Sequence, residues 1–206
     1  MRGLQKDERA ILKRLRTPAK IQDFLDSLPM NHEERGETHR SVREALRVGK
    51  AHCIEGALIA AAALMLHGER PLLMDLMADK SRYDDDDHVV ALYKRNGYWG
   101  DISKTNHATI RFRDPVYKTL RELALSYFHE WFMNVNGVKT LKSYSRPLNL
   151  RRFGDDWLTS SKDLWYLDKA LNTLPHYPLL PSKNKKFIRR ADAMELKAGR
   201  LEEWPE

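Results

Sequence analysis

The chain has 206 residues, one cysteine and a formal charge of +7, with a pI near 9.4. That length suits one domain with a real core, and a lone cysteine excludes an intrachain disulfide framework. The first residues lack the apolar run of a secretion signal and the longest apolar stretch, 57–66, is too short for a bilayer, so a soluble cytoplasmic protein without membrane contact is expected.

In chain order, Ile11, Leu12 and Leu15 share one helical face, and Ile21, Phe24, Leu25 and Leu28 form a second before Pro29. The polar stretch 31–38 reads as loop, and 40–48 as a helix capped by Thr38 or Ser41 and stopped by Gly49. Residues 53–66 give the strongest helix pattern, apolar on nearly every face and therefore buried on all sides. Residues 71–77 read as a strand. Four consecutive aspartates, 84–87, lie in an acidic loop 82–87; without a glycine-centred loop or further spaced ligands they read as solvated charge, and no metal is assigned.

Residues 88–94, the Asn96-Gly97 pair and 98–103 form the clearest hairpin, since Asn-Gly fits a type I′ turn. A further strand is expected over 107–112 and a helix from Pro115, with an aromatic face running from Tyr117 to Phe132. Residues 142–156 read as irregular and 158–174 as one helix. The basic tail after Pro175 is either an arm across the surface or a loosely held extension. Its charge and that of 6–20 favour weak, non-specific polyanion contact without making a site. The chain is thus expected to be a single domain 1–206, with a helical segment 7–28, a catalytic-type core about 38–133 and a basic extension 175–206.

Cys53 carries the chemistry. A helix starting there aims free N–H groups and the positive end of its dipole at the sulfur, favouring thiolate, and His88 at the head of a strand offers a proton partner. The competing reading is a small buried hydrophobe among alanines. Three residues could orient His88. With Asn96-Gly97 as a two-residue turn, opposed residue numbers sum to 193, so His88 faces Thr105 and Asp101 lies roughly 13 Å further along the strand, with Ser103 nearer. Asp101 alone supplies a full charge, and Asn106 could act through its amide. The oxyanion donors would be the Cys53 N–H with His52 or Lys50.

Cys53 followed by Glu55-Gly56-Ala57, the strand His88-Val89-Val90-Ala91-Leu92-Tyr93, and Gly97-Tyr98-Trp99-Gly100-Asp101-Ile102-Ser103 together resemble the transglutaminase-like superfamily of papain-like thiol enzymes, over roughly residues 40 to 110. The resemblance implies an α+β fold with a central helix packed on an antiparallel sheet, flanked here by helical N- and C-terminal extensions. It also implies a cysteine hydrolase or acyltransferase that works through a thioester on a protein, peptide or small amide substrate, without a cofactor. A catalytically weakened or inactive binding or scaffold protein of the same fold is the alternative. The chain departs from the pattern in having Val89 and Val90 where a tryptophan often follows the histidine, and no proline after Asp101. Counted from Trp99, the third catalytic position falls on Ser103.

Overall fold

A computed structural model describes residues 3–34, 36–81 and 83–204, so Arg82 at the head of the acidic loop lies outside the described residues. Its fold is α+β. Helix α4 (Cys53–Leu66) lies between one face of an antiparallel sheet and the helices α1 (Lys6–Arg14), α2 (Pro18–Ser27) and α3 (Val42–Val48). This explains its composition: between Cys53 and its last turn it has no solvent face, and Ala57 and Ala60 to Ala63 are all fully buried. Ser41 caps α3 by accepting from the Glu44 N–H, and Gly49 ends it in the left-handed region.

The sheet runs β4-β3-β2-β1-β5-β7. Strands β1 (Leu72–Ala78) and β2 (His88–Arg95) form its centre, and β3 (Tyr98–Ile102) joins β2 through Asn96 and Gly97, both at positive φ. The observed pairs, Ala91 with Ile102 and Leu92 with Asp101, have the register that the two-residue turn dictates. One face of the sheet packs on α4. The other, with Val90, Leu92 and Met74, packs on Leu123, Ala124 and Tyr127 of α5 (Leu120–Tyr127).

Several elements differ from expectation. Residues 107–112 form no strand: Ile110 takes φ 53°, its N–H donates to Glu130 and its carbonyl accepts from Ser103, so side chains satisfy its backbone in place of a ladder. Pro115 does not open a helix but lies in β4 (Arg113–Tyr117) at the sheet edge, where a missing N–H is tolerated. The helix begins only at Leu120, after a Thr119/Glu122 capping box. The stretch 142–156 takes in all but the first residue of β5 (Leu141–Ser145), which pairs with β1, and the short β6 (Leu148–Asn149). The single helix expected over 158–174 is two, α6 (Asp156–Thr159) and α7 (Trp165–Thr173). Between them Ser160 folds back on Lys162 and the Leu164 N–H donates to the His39 carbonyl.

The tail is held as an arm. β7 (His176–Pro178) extends the sheet on β5, and α8 (Ala193–Gly199) has its own Asp192/Glu195 capping box. The sheet therefore draws on residues well past 133. Among the described residues, no helix is long and apolar enough to cross a membrane.

Candidate active site

A cleft of about 630 Å³ opens where the N-terminus of α4 meets the start of β2. His52, Cys53, Asp75, His88, Asn106 and Trp131 are among its lining residues. Cys53 is the first residue of α4, so its N–H is one of the donors a helix start leaves without an intrahelical acceptor. Its side chain is half-buried. Burial pushes the thiol up, but hydrogen bonds and charge from His52 and His88 more than offset this and bring it down to about 5.

His88 sits at the head of β2, buried, with its Nε2 2.7 Å from the Ser103 hydroxyl. That hydroxyl spends its own proton on the Ile110 carbonyl at 2.9 Å, so it accepts from His88 Nε2–H. The tautomer is thereby set, and Nδ1 is the nitrogen left for the thiol. Ser103 is itself clamped: Gln22 on α2 accepts from its N–H at 3.0 Å and donates to its carbonyl at 2.8 Å. Trp131 packs edge-on against the His88 ring, with centroids 6.1 Å apart.

His52 occupies the other side of the sulfur. Its Nδ1 is 3.9 Å from Cys53 Sγ, and its Nε2 lies 2.7 Å from the Thr38 carbonyl, to which it must donate. Glu33 and Glu55 carboxylates lie 3.5 and 3.6 Å from the same nitrogen. Burial opposes the charge on this ring, but Cys53, Glu55 and Glu33 outweigh it and raise His52 to about 9. Glu55 is fully buried and accepts from Asn31, Thr38, the Arg40 N–H and the His52 N–H, so it ties the loop before α3 to the start of α4.

The remaining sequence candidates fall apart from this centre. Asp101 is fully buried and accepts from the Tyr127 hydroxyl at 2.6 Å, while its other oxygen has no partner. Burial raises it to about 7, with Tyr127 and Arg113 pulling the other way. It is not the group bonded to His88, because the hairpin register carries it toward α5. Asn106 lines the cleft, but His88 Nε2 is already held by Ser103. Lys50 is not among the lining residues, and both nitrogens of His52 are committed away from an oxyanion position, so of the three expected donors only the Cys53 N–H retains that role. The acidic loop is spent on structure: Asp85 accepts from Trp131 and Thr140, and Asp87 accepts from the Ala78 N–H and pairs with Lys80.

Glu55, Gln22 and Glu33 were not foreseen. The Glu55 signal was present as a capping pattern over 52–55, disguised by histidine in the cap position. Gln22 had none, since its partner is 81 residues away. Among the described residues no three His, Cys, Asp or Glu side chains converge as a metal site would require. No protein-family model matches the chain, and no curated protein is similar to it.

Proposed function

We propose that this protein is a cysteine-dependent acyl-transfer enzyme with a papain- or transglutaminase-like arrangement, acting on a peptide or carboxamide bond. The observation that carries the proposal is a helix-start thiol acidified to about 5 beside a histidine whose far nitrogen is tied to Ser103. A structural thiol has no need of either feature. In the reaction, the Cys53 thiolate attacks the carbonyl carbon, and the Cys53 N–H donates to the developing oxyanion. As the tetrahedral species collapses, the C–N bond breaks and protonated His88 gives its proton to the leaving nitrogen. Water or an amine, deprotonated by His88, then attacks the thioester; the C–S bond breaks and thiolate returns. Ser103 keeps the imidazole oriented through both steps. The same proposal includes a weak polyanion contact at the exposed basic stretch 183–190.

Incubation with peptide carboxamides and hydroxylamine tests the reading. Native protein should yield peptide hydroxamate and a trappable Cys53 acyl adduct, and Cys53→Ala should yield neither. His88→Ala should lower turnover by about 10²- to 10⁴-fold. A Cys53 that iodoacetamide labels only after unfolding would overturn the proposal in favour of a scaffold of the same fold.

A further inference from the structure

One sulfur lies between two imidazoles, and their surroundings differ. His52 has acceptors at both nitrogens: the Thr38 carbonyl at Nε2, and the Cys53 sulfur at Nδ1. A neutral ring carries one N–H and satisfies one of them; an imidazolium satisfies both. Two carboxylates and the thiolate favour the cation, against the positive end of α4: His52 is the N-cap of that helix, and the Glu55 N–H is directed at its side chain. Glu33 reaches it from the loop before α3, Glu55 from the next turn of α4, and the thiolate from the adjacent residue. Arg40 opposes them only indirectly, through its contact with the same Glu55 oxygen, and the neighbouring His39 ring is edge-on at 5.9 Å. His88 shares the thiolate but has no carboxylate behind it: its far nitrogen meets a neutral hydroxyl, and the carboxyl of Asp101 is bonded to Tyr127.

We propose that the two histidines divide a task that a single histidine performs in a Cys–His dyad: His52 is a fixed imidazolium that holds Cys53 as thiolate, and His88 is the ring that gives and takes the proton. The assignment rests on Cys53 being the nucleophile. Its chemistry balances because the His52 proton never moves; when Cys53 is acylated and its negative charge is gone, Glu33 and Glu55 keep the ring charged. The proton for the leaving nitrogen comes from His88 and returns to it from water or the amine. The elevation of His52 to about 9 fits a ring that stays charged through neutrality.

The test is the pH dependence of Cys53 alkylation, measured with turnover on the same variants. His52→Gln keeps an amide donor for the Thr38 carbonyl but removes the charge. It should cost at least about tenfold in alkylation near pH 6 and converge with native protein at alkaline pH. His88→Gln should retain most acid-side alkylation while losing turnover by about 10²-fold or more. A His52→Gln profile that overlays the native one, or loss of acid-side alkylation in His88→Gln alone, would overturn the division. Should His52→Gln fail to fold, histidine C2–H titration of native protein by NMR decides instead. His52 protonated through neutrality, before and after Cys53 is blocked with iodoacetamide, supports the assignment, and a neutral ring ends it. Absence of turnover with His52 still cationic would instead count against the proposed enzyme activity.

Discussion

Ser103 holds His88 whereas Asp101 lies apart, bonded to Tyr127, and variants of the two have different signatures. Ser103→Ala removes the acceptor for His88 Nε2, so turnover should fall about tenfold, equivalent to about 1.4 kcal/mol of barrier. The alkylation midpoint of Cys53 should stay near the native one in the same variant, because Ser103 touches His88 and not His52. Asp101→Asn leaves that bond intact and should act on stability. Burial raises the carboxyl to about 7, above its unfolded value, so the folded state binds the extra proton between about pH 4 and 7 and stability falls as pH rises through that window. The asparagine variant has no such loss, so its Tm should gain on native protein across that interval. Equal slopes would mean that Asp101 ionises freely. Of these residues, Cys53, His88 and Ser103 were legible in the sequence, because helix start, strand start and hairpin count are local patterns. The engagement of Asp101 by Tyr127 was not, since it joins residues 26 apart on different elements.

At the scale of elements, α4 depends on close approach. A Cβ on Gly56 would lie 2.4 Å from Lys104 Cβ, and Lys104 is fully buried with its Nζ donating to the Leu28 carbonyl at 2.6 Å. Gly56→Ala should therefore destabilise by about 1–3 kcal/mol despite the better helix propensity of alanine, read as a lower urea midpoint. No loss of stability would mean that the lysine stem shifts freely. The ends of α4, the β2–β3 hairpin and the stop at Gly49 were legible because each has its own cap or turn chemistry. The span after Arg111 misled for a physical reason. The aromatics from Tyr117 to Phe132 are apolar enough for a continuous helix, but the Thr119/Glu122 box starts one late, and Phe128 and Trp131 reach the core from beyond its end. Strand β5 gave little signal, because a bulge between Met77 and Ala78 lets it pair in broken register.

Across the whole molecule, charge is distributed unevenly. Lys183, Lys185, Lys186, Arg189 and Arg190 are exposed on the arm, whereas the lining of the cleft mixes Glu33, Asp75, Asp86 and Glu130 with Lys80 and Lys104. Replacing Lys183, Lys185 and Lys186 by glutamate should abolish retention on a heparin column without changing Cys53 alkylation. Retention that survives high salt would point to a specific nucleic-acid site instead. The arm also reaches the cleft rim, where the Glu203 N–H donates to the Asn106 carbonyl at 2.7 Å and the Ala108 N–H to the Leu201 carbonyl at 2.8 Å. This rim joins the middle of the chain to its C-terminal arm, which is why no window of sequence disclosed it.

The two indoles at the cleft have an optical consequence. Trp131 stands edge-on to His88, and Trp165 lies tilted against His39 with centroids 4.2 Å apart. An imidazolium beside an excited indole quenches its emission by accepting the electron. Intrinsic fluorescence should thus differ between the protonated and the neutral His88 ring, and Trp131→Phe should delete that difference. The protein then carries its own meter of proton position, readable in real time, without a label and before any substrate is known.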